Sequence, residues 1–148
     1  MGAVVRRLFG RTPAASPARS RQAQRFDYAP HHDGRPDPGE VVWAWVPFEE
    51  NDGRGKDRPV LVLSVDGDRL TALMLTSKDH DRDAADEARR GRHWLDVGTG
   101  GWDRQGRPSE VRLDRLLQLR IADVRREGAA LDRRRYDEVA AAARALHG

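Results

Sequence analysis

Arg58 and the run Thr76-Ser77-Lys78 are the residues of this sequence whose types could grip a phosphate. A guanidinium presents a fork of donors that matches phosphate oxygens, hydroxyls orient them, and an ammonium adds a point charge. Arg58 follows a polar stretch, 48–57 (FEENDGRGKD), that holds Gly53, Gly55 and Lys56. The backbone N–H groups of the two glycines could complete a concave anion cradle. These groups converge only if the intervening chain is a hairpin. The run 59–65 (PVLVLSV) has strand length, Asp66-Gly67-Asp68 tolerates the positive φ of a tight turn, and 70–76 (LTALMLT) reads as the returning strand. The start of the first strand and the end of the second then share one edge. On spacing alone, Arg58 could equally cap its strand through a surface ion pair with Asp57 or Glu50.

Other catalytic patterns are missing. There is no G-x-S-x-G elbow, no Walker loop, no H-E-x-x-H and no carboxylate pair on a helix face. Of the five histidines, His31 and His32 fall in a segment that reads as unstructured, where a metal geometry is hard to hold, so neither a metal site nor a cofactor is expected. His80 has an ordinary pKa near ~6.5 that suits proton transfer, and reads either as an acid or base or as a lone surface histidine. Four indoles are many for this length. Trp43 and Trp45 alternate within a strand and suit core or interface packing, whereas Trp102, in the Gly-rich stretch 98–106, is the candidate for an exposed surface on which bases stack.

The elements that must position these residues follow from periodicity. Residues 41–46 alternate, with Val42, Ala44 and Val46 on one face and Val41, Trp43 and Trp45 on the other. The charged stretch 79–92 reads as a short surface helix or a mobile excursion, 94–97 as a brief strand, and 109–119 as a further strand. Tyr136, Val139, Ala140, Ala143 and Leu146 recur at helical spacing behind Asp132 as N-cap, giving an amphipathic helix over 132–147. Sequential short strands followed by one helix predict a small antiparallel barrel with helical decoration.

At 148 residues the chain is of ordinary size for a single domain. Residues 1–38 carry seven arginines against Asp27, Asp33 and Asp37, are punctuated by Pro and Gly, and read as a disordered basic arm that either touches RNA or keeps the protein soluble. Residues 39–148 form the folded domain. The net charge of +3 therefore comes from the arm, and charge alone names no partner. With no cysteine, no apolar run of membrane-spanning length, and Arg6 and Arg7 where a signal peptide would be apolar, a reducing cytoplasm is expected.

Taken in order, Gly39-Glu40-Val41-Val42-Trp43, then Arg58-Pro59-Val60-Leu61-Val62-Leu63-Ser64, then Leu75-Thr76-Ser77, and finally Ser109-Glu110-Val111-Arg112-Leu113-Asp114-Arg115 with the terminal helix, resemble the PemK/MazF toxins over Gly39 to Leu146. The arm lies outside the resemblance, 79–107 is longer and more charged than usual, and Glu40 stands where Asp is commoner. The resemblance implies an SH3-like barrel of the CcdB/PemK/MazF kind and a homodimer that a cognate antitoxin blocks. The implied activity is metal-independent cleavage of single-stranded RNA by the substrate's own 2′-hydroxyl. It makes Arg58 and Thr76 the catalytic residues, with Gly53, Gly55, Lys56, Ser77, Lys78, His80 and Trp102 as RNA-binding candidates. A non-catalytic module on the same barrel, binding nucleic acid or protein, is the competing expectation; a related toxin on this superfold acts on DNA gyrase.

Overall fold

Alternation at a period of two makes both faces of the central strands apolar, and the protein buries both. The computed structural model describes residues 26–31, 35–50, 52–77 and 84–148. The strands are β1 (Glu40–Pro47), β2 (Gly55–Asp66), β3 (Arg69–Thr76), β4 (Trp94–Gly98), β5 (Ser109–Arg112), β6 (Leu117–Arg120) and β7 (Val124–Ala130). Two helices, α1 (Ala84–Arg89) and α2 (Arg133–His147), and a 3-10 turn at Ile121–Asp123 complete the described chain. The seven strands form one sheet in the order β4-β5-β3-β2-β1-β7, with β6 also on β3. All pairings are antiparallel.

On one face Val41, Leu61, Leu63, Leu73, Leu75 and Val111 pack with Tyr136, Val139, Ala140 and Ala143 of α2. On the other, Val42, Ala44, Val46, Val60, Val62, Leu70, Ala72 and Met74 pack with Leu117 and Leu119 of β6. The second cluster contains no helical residue, so the sheet covers it by curling on itself. Register shifts in the β1–β7 and β2–β3 ladders supply the bending. β3 divides its free edge: Leu70 pairs with Leu119 of β6, and Thr76 pairs with Glu110 of β5. The fold is the expected barrel type with its C-terminal helix, except that among the described residues no backbone pairing closes the sheet.

Helix α2 begins where expected. Asp132 accepts a hydrogen bond from the Arg135 amide at 3.1 Å, and the Tyr136 hydroxyl donates to the Leu63 carbonyl at 2.8 Å. Burial pushes the Tyr136 phenol well above its usual range, against the opposing field of Arg144. Leu146, expected on the buried stripe, is exposed. The predicted strand over 109–119 is two strands, broken where the His93 and Leu113 backbones pair and Asp114 accepts from the His93 amide. β7 (VRREGAA) carries no alternation to announce it; β1 imposes strand geometry on it. β2 starts at Gly55 opposite Pro47 rather than near Pro59, because only glycine fits there against the Val46 carbonyl and the Trp45 ring.

Part of the expected arm, residues 26–31 and 35–38, belongs to the described fold. Phe26 is buried in the helix-side core under Arg144, Tyr28 packs against Tyr136 with ring centroids 5.3 Å apart, and the Tyr28 hydroxyl donates to the Leu131 carbonyl at 2.6 Å. The Glu40 carboxylate accepts from the His31 and Asp37 amides, which ties this strap to the start of β1. Composition hid the strap because two aromatics suffice to anchor a segment otherwise rich in Pro and Arg; residues 1–25 lie outside the described residues. Phe26→Ala is expected to lower the unfolding free energy by about 3–5 kcal/mol and Tyr28→Phe by about 1 kcal/mol, both read from urea denaturation.

Candidate active site

The β2–β3 register builds the site. Val60 lies opposite Met74, and continuing that antiparallel register by two residues sets Arg58 opposite Thr76 on the same sheet face. On the other side of Arg58 stands Ala44 of β1. This face carries the second apolar cluster, so Arg58 and Thr76 extend from its rim, and both are partly buried. Arg58 is therefore inside a long strand, three residues past its start, not at the start itself.

A cleft of about 150 Å³ opens there, lined by Val46, Pro47, Phe48, Glu49, Glu50, Arg58, Met74, Arg112 and Arg115. Neither proposed cap of Arg58 forms: Asp57 pairs with Arg125 at 3.4 Å, and among the described residues Arg58 has no ion-pair partner. Burial, and then the like charge of Arg115, push the Arg58 guanidinium below its ordinary value. It is a half-desolvated cation facing a cleft with no ion pair among the described residues, an arrangement that an anion relieves.

The other guanidiniums of the cleft are held. Arg112 is 6 % exposed. Its Nε and Nη2 donate to Asp114 Oδ2 at 3.0 and 2.7 Å, and its Nη1 and Nη2 donate to Glu49 Oε1 and Oε2 at 2.9 and 3.0 Å. Burial alone would lower Arg112, but these carboxylates hold it well above its usual value. Arg115 donates to the Pro47 carbonyl at 2.8 Å, fixing the exit of β1. The β1–β2 loop is tied internally: the Phe48 amide donates to the Arg54 carbonyl at 3.0 Å, and Arg54 pairs with Asp52 at 2.8 Å.

Of the other sequence-predicted residues, Lys56 is exposed on β2, Ser77 is exposed just beyond β3, and Gly53 is exposed at the loop tip with φ of 91°. Gly55 sits in the strand ladder opposite Pro47. Lys78 and His80 lie outside the described residues. Trp102 is corrected: it is 4 % exposed, donates through its indole N–H to Ser109 Oγ at 3.1 Å, and belongs to the helix-side core. A Gly-rich loop read as exposure, whereas the glycines make room for the ring; a side chain at Gly100 would occupy the space of the indole. Trp45 is the exposed indole, at 46 %. Reading by motif missed Glu49, Arg112, Asp114 and Arg115. The alternation of Arg112 and Asp114 around buried Leu113 was the available signal, since it puts two opposite charges on one face.

Among the described residues no helix is long and apolar enough to cross a membrane. The family model of PemK-like, MazF-like toxins of type II toxin-antitoxin systems matches residues 37–147, most of the chain, and the protein belongs to that family. Among curated proteins, none matches this sequence. Similar solved structures include MazF (Form-I) from Deinococcus radiodurans, at 23% identity and a TM-score of 0.56, covering 78% of this chain and 99% of that one. MazE-MazF (Form-II) from the same organism gives 22% identity and a TM-score of 0.55, covering 78% and 98%. At these identities the likeness concerns the fold.

Both carboxylates on Arg112 are held below their ordinary values: Glu49 by its hydrogen bonds to Arg112, and Asp114 by Arg112 and the His93 amide, which outweigh the effect of its burial. Groups with depressed folded values stabilise the protein fully above the ordinary carboxylate pKa of about 4, and that contribution is lost as the pH falls through the lower folded values. Urea unfolding measured from pH 5 to 2.5 is therefore expected to show a steep acid loss that is shallower in Asp114→Asn.

Proposed function

We propose that this toxin is a metal-independent endoribonuclease that cuts single-stranded RNA, mRNA included, at short specific sequences. The observation that carries the proposal is Arg58: a partly buried cation without an ion-pair partner among the described residues, on a cleft, opposite a threonine by strand register. The substrate's 2′-hydroxyl gives up its proton as it attacks the adjacent phosphorus, a pentacoordinate phosphorane forms, and the P–O5′ bond breaks as the 5′-oxygen takes up a proton, so that protons balance over the cut. A 2′,3′-cyclic phosphate and a 5′-hydroxyl result. Arg58 faces the developing charge and offers N–H donors to the equatorial oxygens and the departing oxygen, and a preorganised cation in a partly desolvated cleft is strong in that role. A guanidinium is a poor proton acceptor even when its value is lowered, so Arg58 is not the base for the 2′-hydroxyl. Thr76 orients the phosphate through its hydroxyl, with Ser77 beside it.

The remaining elements of the proposal follow from family membership. The chain acts in the cytoplasm as a homodimer, and a cognate antitoxin protein occupies the RNA surface; the similar fold of MazF in a MazE-MazF structure supports such a partner. Incubating the purified full chain with a long mixed-sequence RNA in EDTA, and mapping new 5′ ends, is expected to give discrete cuts. Arg58→Ala is expected to slow cutting by about 10²–10³-fold, the usual cost of removing a transition-state donor, and Thr76→Val by about tenfold, with far-ultraviolet circular dichroism unchanged. Intact RNA with folded, antitoxin-free wild type would move the assignment to a non-catalytic binding module.

A further inference from the structure

We infer that the Arg112 side of the cleft is a phosphodiester subsite that the protein fills with its own Glu49, so that RNA enters by exchanging one of its phosphates for the Glu49 carboxylate. This rests on the nuclease reading for the identity of the ligand, but the geometry stands by itself.

Arg112 has an inner and an outer partner. Asp114 is the inner one: its side chain is 14% exposed, Oδ2 takes Arg112 Nε and Nη2, and Oδ1 takes the His93 amide at 2.7 Å. It is anchored from two sides. Glu49 is the outer one: its side chain is 49% exposed, it projects from the β1–β2 loop, and among the described residues its hydrogen bonds go to Arg112 alone. The loop's other ties run through Phe48, Arg54, Asp52 and the Arg115–Pro47 contact, none of which involves the Glu49 side chain. Glu49 can therefore leave by rotating its side chain while the loop backbone stays, and only its end of the pair is open to solvent, since Arg112 is buried.

The groups left behind suit a phosphodiester. Each Glu49 oxygen takes a different nitrogen of one guanidinium, the side-by-side fork that a phosphate's two non-bridging oxygens also accept. Among the described residues the charges balance as well: Arg58, Arg112 and Arg115 line the cleft with Glu49 and Glu50, and Asp114 holds Arg112 from behind. A phosphodiester carries one negative charge, so replacing Glu49 with one restores the count, whereas removing Glu49 alone leaves Arg112 with an unmet fork. Arg92, whose main partner is Glu87 at 2.7 Å, also contributes its field at Glu49. Glu49 thus acts as a removable stand-in that keeps a buried cation satisfied between substrates. The same contact sets a threshold that weakly bound anions do not cross.

The test uses the full chain in EDTA with two probes, inorganic phosphate and a short RNA bearing 2′-deoxy at the cleaved position. Glu49→Gln and Glu49→Ala are compared with wild type and with Asp52→Asn, which removes one charge from the same loop outside the cleft. Binding of RNA is followed by fluorescence anisotropy, and binding of phosphate by the ¹⁵N shift of the Arg112 Nε. Both Glu49 variants are expected to bind both probes roughly fivefold more tightly than wild type and Asp52→Asn. Equal or weaker phosphate binding in the Glu49 variants would overturn the inference. Tighter phosphate binding with no RNA bound by any variant would keep the anion subsite and defeat the nuclease reading instead. RNA binding unchanged by Glu49→Gln, with cutting lost on the ribose substrate, would place Glu49 in the chemistry and also overturn it.

Discussion

Everything at the cleft depends on the register of the β2–β3 hairpin. Side chains alternate across a strand, so a slip of one residue would carry Arg58 and Thr76 to opposite faces and bury one of them against α2. The sequence guards against that slip twice. The Asp66-Gly67-Asp68 turn fixes the hairpin at one end, with Gly67 in the left-handed region at φ of 63°, and two apolar sets, Leu61 with Leu63 and Val60 with Val62, must each find its own core. A fold that buries both faces of its central strands leaves polar groups a place only at the strand ends. The site therefore sits at the far end of the hairpin from the turn.

The electrostatics follow from that placement. At the rim of an apolar cluster a guanidinium loses part of its hydration, and the protein treats its three cleft arginines differently. Arg112, the most buried, receives two carboxylates; Arg115 receives a backbone carbonyl; Arg58 receives no ion pair among the described residues. Satisfying the buried cation holds the cleft's shape, and the half-buried one is the group that, on the proposed function, meets charge developing on a substrate. The division also explains why Arg58 is lowered and Arg112 raised although they line one cavity.

The hairpin, the first strand and α2 were legible in the sequence because each rests on local signals: a period of two, an Asp-Gly turn, a helical stripe behind an N-cap. That Arg58 and Thr76 stand at the same end of the sheet was legible through the hairpin that joins them. Arg112 and Glu49 were not, since 63 residues separate them and only β5 pairing on β3 brings them together. Trp102 was misread for the opposite reason: its neighbouring glycines signal a loop, but space for an indole and space for solvent look the same in composition. β7 and the Phe26–Tyr28 strap carry too few apolar residues to be seen without the surfaces that receive them. In each case the missing information was a long-range partner, not a propensity.

The central claim is that a cation-lined cleft lets RNA cut itself, and the chemistry of the cut ends tests it most directly. Mass spectrometry of the fragments made in EDTA should find a 2′,3′-cyclic phosphate on one side of every cut and a 5′-hydroxyl on the other. Fragments ending in a 3′-hydroxyl and beginning with a 5′-phosphate would mean that water, not the neighbouring ribose, attacks the phosphorus, and would contradict the account.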